Sequence, residues 1–333
     1  MRTVTGDKIN HVVYNDIISV DNLLVAWKEF IKGKRAKKDV MGFQHRLLDN
    51  VLDLHAELES KTYIPGGYYA FKISDPKPRD IHKASVRDRL VHHAVYRTLY
   101  PIFDRKFIAD SYSCRKDKGT HRAMERFKEY TYKIGRNDTK TFYILKCDIK
   151  KFFASIDHTK LLESLRTYIS DADVIELVTR IVESFHSTAS GKGLPLGNLT
   201  SQLLVNGYMN EFDQFVKHSI KAKYYIRYAD DFVFMSQNRK WLESLIPIIG
   251  KFLMDRLGLK LHPYKVFIKT MASGVDFLGW VHFPDHRVLR TATKRRMLKA
   301  LRNDPKPEAI VSYLGMLKHG NAHKLSSLVS GYR

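Results

Sequence analysis

Two adjacent aspartates, Asp230 and Asp231, stand in the stretch YYIRYADDFVFM (224–235), between two runs of strand-forming residues. Tyr224, Tyr225, Ile226 and Tyr228 precede them, and Phe232, Val233 and Phe234 follow. That pattern predicts a β-hairpin with its turn at about Ala229–Asp231. Aspartate is common in turns because its side chain bonds nearby backbone groups, so a solvated tip is the plain reading of an isolated pair. Three features argue otherwise. The flanks are apolar enough to join central strands. A third aspartate, Asp148, closes another apolar run, FYILKCDI (142–149), which reads as a buried strand. The whole chain is a polycation, with 57 Lys+Arg against 35 Asp+Glu and a net charge of +22. Carboxylates gathered in a positive field suit hard divalent cations, and Mg²⁺ needs only a few of them when substrate phosphates supply the rest. Two such ions about 3.5–4 Å apart stabilise the attacking and leaving oxygens of a phosphoryl transfer.

The elements that must position these groups can be read along the 333 residues. A 44% hydrophobic content is enough for a sizeable core in one large domain or two to three subdomains. The positive charge predicts an anionic partner, nucleic acid first. No apolar run of about 18 residues points to a membrane. The polar start MRTVTGDKINH gives no secretory signal, and Cys114 and Cys147 form neither a disulfide framework nor a zinc motif, so a reduced cytoplasm is the expected compartment. Asp21 is expected to cap a helix containing LLVAW (23–27), ahead of the basic cluster KGKRAKK (32–38). Phe43, Leu47, Val51, Leu54 and Leu58 predict one amphipathic helix over 41–59. YIPGGYYAFKI (63–73) reads as a hairpin or strand, and SVRDRLVHHAVYRTLYPIF (85–103) as a helix with Asp88 and Arg89 paired at its start. His92 and His93 read as helix surface or core, not ligands. LPLGNLTSQLLVNGYMNEFDQFV (194–216) reads as a loop and helix, GVDFLGW (274–280) as a short strand, and 290–333 as a basic helical tail broken at Asn303–Pro307. This order argues for an α+β fold rather than a doubly wound parallel sheet.

Asp148 in CDIKKFFASIDH (147–158), followed by YADD at 228–231, resembles the catalytic core of a reverse transcriptase, and the resemblance extends over most of residues 23–325. It implies a right-hand polymerase fold: a basic helical segment over 1–60, fingers over 61–140, a palm with an antiparallel sheet and helices over 141–285, and a short helical thumb over 286–333. It implies that Asp148, Asp230 and Asp231 are catalytic and, with Ile149, hold two Mg²⁺ ions, for which Mn²⁺ can substitute. Phe153 would lie under the incoming sugar and exclude a 2′-hydroxyl. In PKPRDIHKASVRDRLVHHAV (76–95), Lys77 and Arg79 would hold the triphosphate, the arginine through its planar fork. Lys265, in KLHPYKVFI, would stand near the triphosphate as a candidate general acid. SYSCRKDKGTHRAM (111–124) would turn Arg115, Lys116 and Lys118 toward phosphates. DFLGW (276–280), with Gly279 and Trp280, resembles the primer-holding hairpin. RVLRTATKRRMLKALR (287–302) carries seven basic residues, and Lys294, Arg295, Arg296 and Lys299 would lie along the duplex.

The stretch GLPLGNLTSQLLVN (193–206) narrows the family. Many reverse transcriptases read QGxxxSP here. This chain has Leu196 in place of Gln, keeps Gly197 and Ser201, and has Gln202 in place of Pro. That block, and SYLGMLKHGNAHKL (312–325), are similar to the reverse transcriptases of diversity-generating retroelements. The resemblance implies dNTP substrates and a template-repeat RNA copied into cDNA with errors at adenines. It also implies an oligomeric accessory variability protein as partner, with LLVAWKEF and KGKRAKK as the expected contacts for partner or RNA. Leu196, Gly197 and Gln202 are then expected at the nucleotide pocket, where an aliphatic side chain cannot hydrogen-bond the base pair and discriminates less. The competing readings are a bacterial reverse transcriptase of group II intron, retron or phage-defence type, and a non-catalytic RNA-binding module.

Overall fold

Four helices open the part of the chain that the computed structural model describes, residues 12–73, 79–187 and 189–332. They are α1 (Tyr14–Ile18), α2 (Val20–Phe30), α3 (Lys38–His45) and α4 (Leu47–Glu59). Ser19, not Asp21, caps α2: its hydroxyl accepts from the Asn22 amide, and Asp21 sits in the first turn, where its charge meets the positive end of the helix. The single helix expected over 41–59 is two, because the backbone at Arg46 leaves the helical region (φ −120°, ψ 45°). Leu23, Ala26, Trp27 and Phe30 are buried. LLVAWKEF thus turns one apolar face into the core, while Val25 and Lys28 stay exposed. KGKRAKK stays largely exposed.

An antiparallel ribbon follows, β1 (Tyr69–Ile73) against β2 (Arg79–Lys83), then the long helix α5 (Val86–Lys106). The pairing of Asp88 with Arg89 is also corrected. Asp88 is buried and accepts from Ser85, Tyr63 and the Gly66 amide, while Arg89 turns the other way to Asp39 at 2.6 Å. His92 is core, with its Nδ1 3.1 Å from the Thr200 hydroxyl.

The remaining α-helices and strands are α6 (Thr120–Ile134), β3 (Tyr143–Asp148), α7 (Phe152–Ser155), α8 (His158–Arg166), α9 (Ala172–Glu183), α10 (Leu199–Gln214), β4 (Tyr225–Tyr228), β5 (Asp231–Ser236), α11 (Arg239–Leu257), β6 (Phe267–Thr270), β7 (Val275–Phe277), β8 (Trp280–His282), β9 (Arg287–Leu289), α12 (Thr291–Asn303), α13 (Pro307–Leu317) and α14 (His323–Ser330). GVDFLGW is thus a strand, a turn and the start of a second strand. The central sheet runs β4-β5-β3-β6, antiparallel throughout.

Alternation along these strands separates two apolar layers. Leu145, Cys147, Phe232, Phe234 and Tyr225 enter the main core with α5, α8, α10 and α11. Ile144, Val233, Met235 and Ile226 enter a second cluster with Phe127 and Tyr130 of α6 and Val275 and Phe277 of β7. A third cluster joins α12, α13 and α14 to Trp280. A sheet covered on both faces can hold charged residues only at its ends or in paired form.

Candidate active site

Register places the three aspartates at one end of the central sheet. Asp148, the last residue of β3, lies directly opposite Asp231, the first of β5. Tyr228 pairs with Asp231, so the turn is the two-residue loop Ala229–Asp230, one residue tighter than expected. Ala229 has φ +56°, a left-handed conformation that costs an L-residue about 1–2 kcal/mol and persists only where neighbours hold it. The Ile149 amide donates to the Asp230 carbonyl at 3.2 Å, and the Tyr228 hydroxyl accepts from Thr120 at 3.1 Å. Asp148 and Asp231 share a sheet face with Lys146, two residues before Asp148.

The side chains of Asp148 and Asp231 are only 16% and 20% exposed. Lys265 stands over Asp148, with its ammonium 3.0 Å from both carboxylate oxygens. Lys146, itself nearly buried, reaches Asp231 at 3.1 Å and donates to the Asp276 carbonyl at 2.8 Å. Burial, opposed by Lys146 and reinforced by the neighbouring carboxylates, pushes Asp231 up to about 6. Burial also raises Asp230, with Asp148 adding to the effect and the positive charges of Lys265 and Arg79 working against it. Asp231 Oδ1 is buried and has no hydrogen-bond partner among the described residues.

That orphaned oxygen bears on the expected metal. Among the described residues no three His, Cys, Asp or Glu side chains form a ready-made cage. Mg²⁺ does not require one: it keeps several waters and takes one or two carboxylates plus substrate phosphates. Two opposed aspartates, a third in the adjoining turn and a buried oxygen lacking a donor fit such an ion. Ile149 is buried beside them.

The other expected residues divide. Arg79 opens β2, exposed and close enough for its charge to act on Asp230. Lys77 lies outside the described residues. Phe152 is buried and Phe153 half-buried; the Phe153 carbonyl accepts from the Leu194 amide at 2.9 Å. The loop reached this way carries Leu196, half-buried, whose carbonyl accepts from His82 on β2 at 3.3 Å. Gly197 has φ +105°, and a Cβ there would press on Ile81. The structure thus ties together α7, the 194–198 loop and β2, around Phe153, Leu196, Gly197 and Arg79. Gln202 lies half-buried in the first turn of α10.

Arg115 does not face outward as expected. Its side chain is buried, paired with Asp104 at 2.7 Å and donating to the Ile108 and Ser111 carbonyls, because the bend at 108–115 needs its open carbonyls satisfied. Lys118 folds back to the Ala109 carbonyl, while Lys116 stays exposed. Trp280 is likewise corrected: it is buried in the third cluster and packs against Gly320, so an indole expected at a primer serves as core. Gly279, in the β7–β8 turn with φ +88°, has open space where a side chain would be. On α12, Lys294, Arg295 and Lys299 are exposed and Arg296 is half-buried.

Sequence reasoning missed two charged residues. Lys146 was visible as the one basic residue inside FYILKCDI, two positions before Asp148, and Arg227 as the one charge inside YYIRY. A charge embedded in a predicted buried strand must be paired, and that was the available signal.

The family described as reverse transcriptase (RNA-dependent DNA polymerase) matches residues 73–282, well over half the chain. Protein YkfC of Escherichia coli is 26% identical over 305 residues, covering 80% of this chain and 78% of that protein. The group II intron-encoded protein LtrA of Lactococcus lactis is 22% identical over 371 residues, covering 87% of this chain but only 59% of its own length. Among solved structures, apo telomerase from Candida tropicalis, truncated from its C-terminal domain, superposes with a TM-score of 0.50 at 13% identity, over 73% of this chain and 60% of that one. That likeness speaks to the fold, a right-hand polymerase arrangement of mixed helices and antiparallel sheets.

Proposed function

The chain belongs to the reverse transcriptase (RNA-dependent DNA polymerase) family, and from that premise we propose that it copies a template-repeat RNA into adenine-mutagenised cDNA for a diversity-generating retroelement. By family it is an RNA-directed DNA polymerase. In the proposed reaction the primer 3′-hydroxyl attacks the α-phosphate of a dNTP, the new phosphodiester forms, and pyrophosphate leaves. The observation that carries the chemistry is the direct pairing of Asp148 with Asp231 beside the Asp230 turn. When bound there, divalent cations would activate the hydroxyl and neutralise the phosphates. Asp148, Asp230 and Asp231, with Ile149 beside them, would hold those ions. Arg79 would grip the triphosphate from β2, with Lys77 as its companion, and Phe153 would close the pocket under the sugar. Lys265, 43% exposed, would neutralise or protonate the departing pyrophosphate. The fingers, palm and short thumb would occupy 61–140, 141–285 and 286–333, with Gly279 at the primer and Lys294, Arg295 and Lys299 along the duplex.

The retroelement reading rests on Leu196 and Gln202. The Leu196 loop is hydrogen-bonded to the strand that starts with Arg79, which supports a role in the nucleotide pocket. An aliphatic residue there offers no hydrogen bond that a misfit would lose, so mismatches are penalised less. An oligomeric accessory protein would be the partner, and KGKRAKK remains the exposed basic candidate for RNA or that partner. Likeness to LtrA favours one alternative, a group II intron type of enzyme. Primer extension on an RNA template, with products sequenced, separates the two. Errors massed at template adenines, reduced in Leu196→Gln, are expected. Accurate cDNA from the unmodified protein and its accessory partner would favour the intron type, and no cDNA under any condition would favour a binding module.

A further inference from the structure

We propose that Arg227 is a positioning residue for the carboxylates: from the opposite face of the sheet its guanidinium holds the Ala229 carbonyl and so fixes the turn that presents Asp230 and Asp231. The inference rests on the polymerase reading above. Arg227 lies on β4, two residues before Ala229. It and Asp213 of α10 are 0% exposed. Its Nε donates to Asp213 at 2.8 Å, and Nη2 donates to Asp213 at 2.7 Å and to the Ser111 hydroxyl at 3.0 Å. Nη1 donates to Asn206 Oδ1 at 3.3 Å and to the Ala229 carbonyl at 3.2 Å. All five guanidinium N–H groups are thereby used. The Tyr225 hydroxyl also donates to Asp213, at 2.8 Å.

The base of this clamp is itself hydrogen-bonded. The Arg227 amide donates to the Asp110 carbonyl at 3.0 Å, and its carbonyl accepts from the Tyr112 amide at 3.0 Å. Asp110 is itself held by Arg126, Tyr130 and Lys217. Both carbonyls of the two-residue loop are therefore gripped, Ala229 by Arg227 and Asp230 by the Ile149 amide. Stability alone is a poor reason for the arginine, because a buried ion pair can usually be replaced by apolar residues at no loss. What apolar residues cannot supply is a donor to the carbonyl of an alanine held at φ +56°. A lysine would meet Asp213 but lacks the planar fork that reaches the turn at the same time.

The test compares the full chain with Arg227→Lys and Arg227→Lys/Ala229→Gly, by hydrogen exchange over 226–234 and by single-nucleotide primer extension. In Arg227→Lys we expect loop amides to exchange at least tenfold faster while α10 keeps its protection. We expect kcat to fall at least tenfold with the dNTP KM within twofold. Adding Ala229→Gly, which removes the conformational penalty, should recover kcat at least threefold without restoring Tm. Unchanged loop exchange, or a kcat loss that Ala229→Gly cannot rescue and that accompanies loss of α10 protection, would overturn the clamp. If Arg227→Lys does not fold, the apolar pair Arg227→Met/Asp213→Leu takes its place, and full kcat in that variant refutes the proposal. A parent protein that extends no primer would sink the polymerase reading, while the exchange comparison would still decide the clamp.

Discussion

Asp231 is a carboxylate that the fold makes costly to ionise. Little of it reaches solvent, two more carboxylates lie beside it, and one of its oxygens has no donor among the described residues. Its ordinary value is 3.8 and its folded value about 6, so the folded chain binds this proton more tightly than the unfolded one. The stabilising contribution is complete in acid and is lost as pH rises through about 6, above which the charge burdens the fold. Asp231→Asn should therefore raise Tm by about 2 °C or more at pH 7.5 without divalent metal. The difference from the parent should close as pH falls from 6 toward 4, which calorimetry across that range would show. The same variant should lose primer extension by at least about 100-fold. A more stable, inactive protein is the signature of a site whose geometry serves chemistry at the expense of stability.

At the scale of elements, the question for each basic residue is whether it faces solvent or closes a loop. Arg115 closes one, so Arg115→Ala should cost about 2–3 kcal/mol in a denaturant titration, while exposed Lys116→Ala should stay within about 0.5 kcal/mol. Any nucleic-acid defect of the arginine variant should then track its folded fraction. On α12 the exposed set Lys294, Arg295 and Lys299 makes a different prediction. If these contact phosphates, their joint replacement by Ala should lower the salt dependence of primer–template binding by about 2–3 log units per log unit of salt, with melting unchanged. A fluorescence anisotropy series in rising salt measures it.

For the whole molecule, the junction between the sheet and the C-terminal helices is the critical joint. Trp280 of β8 packs with Met297, Leu301, Ile310 and Leu317, and Gly320 lets the chain pass directly over the indole. A Cβ at residue 320 would fall inside van der Waals contact with that ring. Gly320→Ala should therefore displace α13 and α14 while leaving the carboxylate end of the sheet intact. Shorter products per binding event are expected, with the rate of single-nucleotide addition kept within threefold; extension in the presence of a trap strand measures both. Among the described residues no helix is long and apolar enough to cross a membrane.

Much of the site was legible in one dimension because it is local. YADD sits in a hairpin whose strands are encoded by their own residues, and Asp148 closes a short apolar run rich in strand formers. The α+β order and the helical, broken tail follow from periodicity and from Asn303–Pro307 in the same way. What needed three dimensions was every fact that depends on register or on a partner distant in sequence. Pairing Asp148 with Asp231 is a matter of strand register, and a shift of one residue would have turned Asp231 to the other face. The burial of Trp280 depends on helices from the C-terminal part of the chain, and the aim of Arg227 at its near neighbour Ala229 depends on Ser111, Asn206 and Asp213, which hold the rest of the guanidinium; the inward turn of Arg115 depends on the bend that leaves the Ile108 and Ser111 carbonyls open to it. Sequence determined which residues could do the chemistry; the tertiary structure decided which of the charges are free to meet a substrate, because burial and hydrogen-bond satisfaction are set by contacts that no local pattern contains.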